Sequence, residues 1–358
     1  MEGPFALLDG HEQVVYGADD TTGLRCIVAI HSTALGPSLG GTRFFPYDSE
    51  EAALTDVLRL SKGMTYKAAC AGLSFGGGKA VIIGDPDKDK SEALLRAYGR
   101  IVASLQGRYI TACDVGTYPA DMEVIARETR WVTGMDLVHG GSGDSGVTTA
   151  FGVFTALQAV AQHLWDGPEL RGRHVAVQGL GKVGARLCEL LHGVGARLTV
   201  ADIDQERVDA VASRFEADVV TPDAIVEVDA DVLSPNALGA VLTEASIPQL
   251  RVSAVCGGAN NQLGTTEDAS RLQERGVLYA PDYVVNSGGV IQVSDELHPG
   301  GYSAERTLAK AARIGDTLLE IFALAAEQRV TTELAAERVA QRRIAQVGGL
   351  RRFLLPGD

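Results

Sequence analysis

The chain has 358 residues, which is long for a single core and suits two domains of ordinary size. Asp and Glu number 46 against 32 Lys and Arg, and the net charge of −14, spread without long blocks of one sign, argues against a nucleic-acid partner. Hydrophobic residues make up 46% of the sequence and glycines number 42, a composition typical of a packed α/β protein with many tight turns.

The first part of the chain mixes strand and helix patterns. Residues 12–16 and 24–30 are rich in strand formers and flank a turn composition, so they predict an opening hairpin. Ser49 is the predicted N-cap of a helix that ends near Met64. With that boundary, Lys67 would lie just past the end of the helix.

Helix and strand patterns alternate along the rest of the chain. A helix at 91–105 and a strand at 108–112 precede a glycine-rich stretch at 140–143 and a long apolar helix at 148–164. Short apolar strands, separated by helical segments, follow at 174–178, 197–201, 231–233, 252–256 and 277–280. This alternation predicts a doubly wound parallel sheet. The helical stretch from about 304 to 345 is expected to pack back on the first domain.

Neither a membrane segment nor a metal site is expected. No stretch reaches the roughly 18 apolar residues of a membrane span, and residues 1–4 lack the basic start of a secretory signal. The five cysteines include no CxxC pair and no histidine at zinc-ligand spacing. We therefore expect a cytoplasmic protein with free thiols and no membrane partner.

A glycine motif of the form GxGxxG follows a predicted strand and opens a predicted helix, a context typical of dinucleotide binding. The loop that would hold the cofactor comprises Gly179, Gly181, Lys182, Val183 and Gly184. The first glycine allows a tight turn, the second lets backbone amides approach a pyrophosphate, and the third lets helix and strand meet. Asp202 ends the next strand, with Asp204 close by and no arginine following, so its carboxylate would bind ribose hydroxyls. This favours NAD over NADP.

Two lysines and an aspartate in the first part of the chain are candidates for chemistry. Lys67 and Lys79 are twelve positions apart, and three glycines at 76–78 precede the second lysine. Consecutive glycines suit a backbone that lies very close to a ligand or another segment. Considered singly, either lysine could be a solvated surface charge, and Asp114 could be a strand-end cap.

Four motifs in order resemble the leucine, valine and phenylalanine dehydrogenase branch of the glutamate dehydrogenase superfamily, over nearly the whole chain. The motifs lie at residues 31–43, 76–79, 111–117 and 280–286. Within the branch, residues 31–47 are most similar to valine dehydrogenases. The resemblance implies an NAD-dependent enzyme that converts an L-amino acid to a 2-oxo acid and ammonia. It also implies a homo-oligomer, a dimer or larger.

The resemblance implies a role for each candidate. Lys67 would bind the substrate α-carboxylate together with the backbone of Gly40, Lys79 would be the catalytic lysine, and Asp114 would exchange protons with the amino group. A partly buried lysine beside another cation loses its proton more readily, which suits a general base that activates water. Asn261 would lie near the amino group and the nicotinamide.

Cofactor contacts are implied for Thr149, at the nicotinamide carboxamide, and for Asn260. Two positions depart from the family pattern: Ser287 stands where alanine is common, and Asn236 where cysteine is frequent. Both departures concern the cofactor side of the site and leave the proposed acid–base residues intact.

The specificity pocket implied by the resemblance is wholly apolar and comprises Leu39, Ala112, Val290 and Val293. A glutamate-specific enzyme would need a cation at the first of these positions, because burying an unpaired carboxylate costs several kcal/mol. Phenylalanine-specific relatives tend to have glycine at the second. Branched aliphatic substrates are therefore expected, with valine preferred, although one methylene changes specificity by only about 1–3 kcal/mol. Ordinary core packing is the alternative for these four side chains.

Three other functions compete with this hypothesis: a phenylalanine dehydrogenase of the same family, a non-catalytic NAD-binding protein, and a cysteine hydrolase that uses Cys113 or Cys256. The expected fold is α/β, with a mixed-sheet substrate domain, a Rossmann domain and an active-site cleft between them. Residues 1–137 would form the substrate, catalytic and oligomerisation domain, 138–325 the Rossmann domain, and 326–358 helices that return to the first domain.

Overall fold

The computed structural model describes residues 8, 10–237 and 239–349. These residues form two compact units. The first unit takes the described residues up to Gly143, the segment Gln292–Ser303 and the described residues from Ala340 onwards. The second takes the described residues of Asp144–Ile291 and Ala304–Val339.

The first unit contains a mixed five-stranded sheet with the order β1-β2-β4-β3-β5. Its strands are β1 (Gln13–Asp19), β2 (Leu24–Ser32), β3 (Ser38–Phe45), β4 (Gly76–Ile83) and β5 (Tyr109–Cys113). Its helices include α1 (Glu50–Cys70), α2 (Glu92–Ser104) and α3 (Pro119–Ala126). The pair β1 and β2 forms the predicted antiparallel hairpin. Strand β4 runs antiparallel to β2, whereas β3 runs parallel to both β4 and β5.

Both faces of this sheet are buried. One face packs against α2 and α3 through a cluster that includes Phe44, Tyr98, Tyr109, Met122 and Ile125. The other face packs against α1 through Ile27, Ala29, Ala53, Val57 and Val81. Burying a large apolar side chain contributes roughly 1.5–3 kcal/mol, so these two clusters dominate the stability of the unit.

The glycine-rich strands β3 and β4 were not predicted, because glycine is depleted in strands. The structure explains why glycine is present. A Cβ atom at Gly77 would lie 2.1 Å from the Thr65 backbone nitrogen of α1, and one at Gly40 would lie 1.8 Å from the Gly78 carbonyl oxygen. The glycines thus let α1 and the neighbouring strand approach the backbone directly.

Helix α1 begins as predicted and ends later than predicted. Ser49 caps it in extended geometry, with φ −157°, and its side chain accepts a hydrogen bond from the backbone N–H of Ala52. The helix continues to Cys70, so Lys67 lies in its last turn and not beyond it. Packing of Thr65 against Gly77 of β4 supports these extra turns, an example of tertiary contact extending a helix beyond its local signals.

The second unit contains a six-stranded, wholly parallel sheet with the order β11-β10-β9-β6-β7-β8. Its strands are β6 (His174–Gln178), β7 (Arg197–Ala201), β8 (Asp218–Val219), β9 (Val232–Pro235), β10 (Ala254–Val255) and β11 (Leu278–Tyr279). The sequence predicted β6 and β7 with these bounds and missed β8, a two-residue edge strand whose side chains are exposed. The doubly wound sheet is confirmed.

Eight helices complete the set of α-helices within the described residues. They are α4 (Gly146–Trp165), α5 (Gly184–Gly193), α6 (Gln205–Phe215), α7 (Glu267–Glu274), α8 (Asp282–Val285), α9 (Gly288–Asp295), α10 (Ala304–Gln328) and α11 (Thr332–Gly348). The division between the two units falls within α9 and within α11. None of the helices across 8, 10–237 and 239–349 is long and apolar enough to span a membrane.

The structure divides the chain differently from the predicted boundaries. Helix α10 packs on α4 of the second unit, where Gly152 and Gly315 allow close approach: a Cβ atom at Gly152 would lie 2.8 Å from the Ile314 side chain. Residues from about 304 therefore do not pack back on the first unit as expected. Of the described residues after Ser303, only those from Ala340 onwards belong to the first unit. The predicted continuation through 350–358 lies outside the described residues. The same holds for residues 1–4.

Replacing Glu333 is expected to remove one component of the pH dependence of stability. Burial, together with the charges of Asp282 and Glu337, raises the pKa of this carboxyl from 4.5 to about 8. Because the unfolded chain ionises at the lower value, the free energy of unfolding falls as pH rises from about 4.5 to about 8. Thermal unfolding across this range should show Glu333→Gln increasingly more stable than the parent protein as pH rises. The matched Glu327→Gln, at an exposed glutamate, should show no such trend, and a pH-independent difference for Glu333→Gln would contradict the assignment.

Candidate active site

The structure brings Lys79 and Asp114 into direct contact. Lys79 lies on β4 and is only 6% exposed, while Asp114 follows the last residue of β5. The lysine Nζ atom is 2.6 Å from the Asp114 Oδ2 atom. An ion pair withdrawn from solvent to this extent needs partners for its remaining lone pairs and protons, so its surroundings determine its chemistry.

The turn that holds Asp114 is fixed by backbone contacts. The Asp114 N–H donates to the Thr117 hydroxyl over 2.9 Å, and that hydroxyl lies 2.8 Å from the Thr42 carbonyl oxygen, to which it donates. A Cβ atom at Gly41 would lie 2.4 Å from the Cys113 carbonyl oxygen and 2.9 Å from the Asp114 Cβ atom. Glycine at position 41 of β3 is therefore required for Asp114 to occupy its place.

Arg43 is a second cation at the same carboxylate, and no role for it was predicted from the sequence. Its Nε atom is 3.2 Å from the Asp114 Oδ2 atom, the atom that Lys79 also contacts. Burial acts to raise the pKa of Asp114, but the charges of Lys79 and Arg43 outweigh it and hold that pKa below its usual value. Asp114 is thus kept as a carboxylate.

The other sequence-predicted residues of the first unit occupy the same strands or the helix above them. Leu39 and Gly40 lie on β3, and Ala112 lies on β5 opposite Gly41. Leu39 is 2% and Ala112 7% exposed. The Gly40 carbonyl oxygen accepts a hydrogen bond from the Tyr109 hydroxyl over 2.7 Å, which fixes this part of β3 against β5. Lys67 is half-buried in the last turn of α1.

Val293 is held in the first unit by a network centred on Glu296, which was also not predicted. The Thr133 hydroxyl, which donates to the Glu296 carboxylate, also lies 3.0 Å from the Val293 carbonyl oxygen. The Glu296 carboxylate accepts from the backbone N–H groups of Gly134 and Ser142, both at 2.8 Å, and from the hydroxyls of Thr133 and Ser142. Four donors on one carboxylate fix the end of α9 against this loop. Val290, the fourth predicted pocket residue, belongs to the second unit.

In the second unit, each glycine of the predicted cofactor loop has a distinct reason to be glycine. Gly179 has φ +88°, and a Cβ atom there would lie 2.6 Å from the Ala237 nitrogen. A Cβ atom at Gly184 would lie 1.8 Å from the Gly179 carbonyl oxygen, so the start of α5 meets the strand here. At Gly181 a Cβ atom would meet nothing within 4 Å. Internal packing does not require that glycine, whereas the close approach of a phosphate would.

Asp202 both supports this loop and retains capacity to bind a ligand. Its Oδ2 atom accepts the N–H of Leu180 at 2.5 Å, and its Oδ1 atom accepts the N–H of Asp204 at 2.9 Å. A carboxylate has about four lone-pair sites, so two hydrogen bonds leave acceptors for hydroxyl groups. Lys182 and Val183 lie between the second and third glycines, and the Lys182 side chain is exposed.

A cluster of amide side chains lies where the sequence suggested nicotinamide contacts. Asn286, which was not predicted, donates through Nδ2 to the Asn260 Oδ1 atom over 2.7 Å. Its own Oδ1 atom is buried and has no hydrogen-bond partner within the described part of the chain, so it could accept from a ligand amide. Asn261 adopts a left-handed backbone conformation with φ +54° in the same loop. Thr149 lies in the first turn of α4, and its hydroxyl donates to the Ser145 carbonyl oxygen.

The two departures from the family pattern are satisfied within the protein. Asn236 accepts from the Gly258 N–H over 2.9 Å and donates to the Ser234 carbonyl oxygen over 2.9 Å, so it joins the loops that follow β9 and β10. Ser287 is buried and donates to the Val284 carbonyl oxygen over 2.7 Å. The Asn236 side chain thus links loops next to the cofactor loop, and the Ser287 side chain stabilises the end of α8.

The two cysteines considered as nucleophiles are poorly suited to that role. Burial raises the pKa of Cys113 to about 12, with the charges of Asp121 and Glu296 acting in the same direction. Burial also raises the pKa of Cys256 well above the ordinary value. The thiolate is the nucleophilic form, so neither group is activated.

Comparisons with known proteins agree along almost the whole chain. Residues 11–131 match a family described as Glu/Leu/Phe/Val dehydrogenase, dimerisation domain. Residues 140–206 and 199–349 match Glutamate/Leucine/Phenylalanine/Valine dehydrogenase. These matches contradict the cysteine-hydrolase alternative and confirm the resemblance seen in the sequence motifs.

Individual relatives are similar over most of their own length. A valine dehydrogenase of Streptomyces coelicolor is 54% identical over 340 residues, covering 94% of this chain and 93% of the relative. A leucine dehydrogenase of Bacillus cereus is 48% identical over 337 residues, covering 94% and 92%. The crystal structure of L-tryptophan dehydrogenase from Nostoc punctiforme superposes with a TM-score of 0.85 at 45% identity, covering 94% of this chain and 97% of that one.

These relatives are named for aliphatic and aromatic substrates, and their identities to this chain differ by less than ten percentage points. They therefore do not rank the substrates. They do agree on the reaction class, in a family whose members generally use a nicotinamide cofactor. The chain belongs to the Glu/Leu/Phe/Val dehydrogenase family and is an amino-acid dehydrogenase.

Proposed function

We propose that the protein catalyses the reversible NAD-dependent oxidative deamination of branched-chain aliphatic L-amino acids, with valine preferred over leucine and isoleucine. The products are the 2-oxo acid, ammonia and NADH. The observation that carries the proposal is the contact between the buried Lys79 and Asp114, 2.6 Å apart, in a chain whose relatives are amino-acid dehydrogenases.

The residues of the pair divide the acid–base work. Asp114, as a carboxylate, first takes a proton from the substrate ammonium group. A bound nicotinamide cofactor would supply the hydride acceptor for the substrate Cα, and loss of the hydride converts the substrate amine to an iminium. Lys79 is proposed as the general base that takes a proton from the water attacking the iminium carbon. Asp114 then returns its proton to the nitrogen of the carbinolamine that the water attack forms. As the C–N bond breaks and ammonia leaves, the carbinolamine hydroxyl proton passes to the Asp114 carboxylate and the 2-oxo acid remains. Lys67 and the N–H of Gly40 bind the α-carboxylate throughout.

The choice of NAD rests on the surroundings of Asp202. A carboxylate at this position would accept hydrogen bonds from ribose hydroxyls and would repel a 2′-phosphate. Support comes from its half-buried position beside the glycine loop, and from the absence of an arginine in the residues that directly follow it. Thr149, Asn260 and Asn261 would contact the nicotinamide end.

The substrate preference rests on four apolar side chains: Leu39, Ala112, Val290 and Val293. A γ-carboxylate among them would be unpaired, which costs several kcal/mol and disfavours glutamate. The methyl group of Ala112, which is 7% exposed, reduces the room for an aromatic ring. Phenylalanine dehydrogenase remains the second candidate, because the family includes members named for that substrate.

A panel of substrates is the direct test of the proposal. Purified protein with NAD is expected to form NADH with the highest kcat/KM for L-valine, lower values for L-leucine and L-isoleucine, and little or none for L-phenylalanine and L-glutamate. NADP should give at least about tenfold lower kcat/KM. Preference for phenylalanine would overturn the argument from Ala112. Inactivity with every amino acid would favour the non-catalytic alternative.

Lys79→Ala is expected to lower kcat about 10²- to 10⁴-fold, because the variant lacks the base that activates water. Binding of NAD, measured by protein fluorescence, should be unchanged. Lys88→Ala is the matched control, since that lysine is 80% exposed and pairs with Asp85 at the surface. Full turnover by Lys79→Ala would rule out the proposed mechanism.

We also propose that the first unit provides the contacts of a homo-oligomer, a dimer at the least. The description of the family that matches residues 11–131 as a dimerisation domain supports this. Light scattering should give a mass of at least two chains, and a monomer that is fully active at assay concentration would contradict the proposal.

A further inference from the structure

We propose that Arg43 is a positioning residue for the reaction: its guanidinium, anchored by Asp56, holds the Asp114 carboxylate against Lys79 and sets the charge of that pair. The inference deepens the proposed function and rests on it, because it takes Lys79 and Asp114 as the catalytic pair. No role for Arg43 follows from its local sequence, and the assignment comes from its contacts.

The geometry of Arg43 is that of a bridge between two carboxylates. Its side chain is 20% exposed on β3. The Nε atom lies 3.2 Å from the Asp114 Oδ2 atom, and one terminal nitrogen lies 2.8 Å from the Asp56 Oδ2 atom. The planar guanidinium presents its donors in a rigid fork, so the position of one carboxylate fixes the position of the other. A lysine at this position could not make both contacts with the same geometry.

Asp56 is itself held in place on α1. Its Oδ2 atom accepts the Tyr47 hydroxyl at 2.7 Å as well as Arg43, and its Oδ1 atom accepts Arg59 at 3.0 Å. Burial acts to raise the pKa of Asp56, but the hydrogen bond from Tyr47 and the charges of Arg43 and Arg59 outweigh it and hold the pKa below its ordinary value. The anchor is therefore a carboxylate with both oxygens engaged.

Charges of opposite sign alternate along this chain of contacts: Lys79, Asp114, Arg43, Asp56. Tyr109 and Cys113 on β5 are further titratable neighbours of Asp114, and burial raises the pKa of each so that both stay neutral. Lys79 and Arg43 offset the charges of Asp114 and Asp56, and Arg59 is a further cation at the outer side of Asp56. Loss of Arg43 would leave an excess negative charge beside the Lys79–Asp114 pair, which would then retain its protons to higher pH. Loss of the Asp56 charge would act in the opposite direction.

The test compares pH profiles of kcat for valine with NAD, from about pH 6 to about pH 11. Arg43→Gln is expected to lower kcat about 10- to 100-fold and to move the acid limb upward by about one pH unit, with KM for NAD within about twofold. Arg43→Lys should keep the acid limb near its original place while losing part of kcat. Asp56→Asn should move the acid limb downward.

Arg59→Gln is the matched control, because it removes the outer cation from Asp56 without touching Asp114 and has a side chain that is 55% exposed. It should leave kcat and the profile within about twofold of the parent enzyme. If the role of Arg43 were purely structural, its loss would lower kcat or stability, but the acid limb of the kcat profile would not move in opposite directions in Arg43→Gln and Asp56→Asn. That result would overturn the inference.

Two further outcomes are distinguishable. Parent protein that shows no activity on any amino acid overturns the proposed function. An active parent whose profile is unchanged in Arg43→Gln overturns the inference alone. Thermal unfolding checks that each variant folds. If Arg43→Gln does not fold, the inference is tested by the other two variants: it requires the acid limb of the kcat profile to move downward in Asp56→Asn and to stay in place in Arg43→Lys, and it is overturned if either result is not seen.

Discussion

The contact between the buried Lys79 and the partly buried carboxylate of Asp114 is the constraint on which the first unit depends. Lys79 lies on β4 and Asp114 follows β5, the two strands that flank β3, and Gly41 of β3 leaves room for the Cys113 carbonyl oxygen and the Asp114 Cβ atom. Each glycine in a strand costs roughly 0.5–1 kcal/mol relative to alanine. Glycine at several positions of β3 and β4 therefore lowers the stability of the first unit. These glycines allow Lys79 and Asp114 to meet in a sheet whose faces pack mainly through apolar side chains, with Arg43 as a further charged residue on β3.

The fold was most predictable where local chemistry and tertiary packing agree. The cap at Ser49, the opening hairpin and the strands β6 and β7 all have apolar patterns or turn residues that match their final environment. The strands β3 and β4 were missed because their glycines are needed for close contacts with segments that are distant in sequence, and such contacts leave no local signal. For the same reason α10 was predicted to pack on the first unit, whereas it packs on α4 of the second. The apolar face of an amphipathic helix shows that the helix packs against something, but its sequence does not identify the partner.

The candidate site was predictable to the extent that its residues belong to contiguous motifs. The glycine loop, Lys79 and Asp114 were found in this way. Arg43 lies in such a motif, yet its partner Asp114 is 71 positions away and only the fold shows their contact. Asn286 was likewise inside a quoted segment, and its unpartnered oxygen atom becomes visible only once the neighbouring amides are in place. Long-range polar partners leave no periodic signal in a sequence, which is why they were missed.

The carboxylate of Glu296 has a consequence for how the chain can be divided. Its donors at Gly134 and Ser142 lie 162 and 154 positions earlier in the sequence, and the intervening residues form most of the second unit. A fragment ending at residue 143 would contain the donors without their acceptor, and would expose the backbone groups that this carboxylate satisfies. During synthesis, the loop around Thr133 therefore acquires its final hydrogen bonds only after the ribosome has passed Glu296. The last hydrogen bonds of the first unit thus form late in translation, although the strands of its sheet all lie before residue 114.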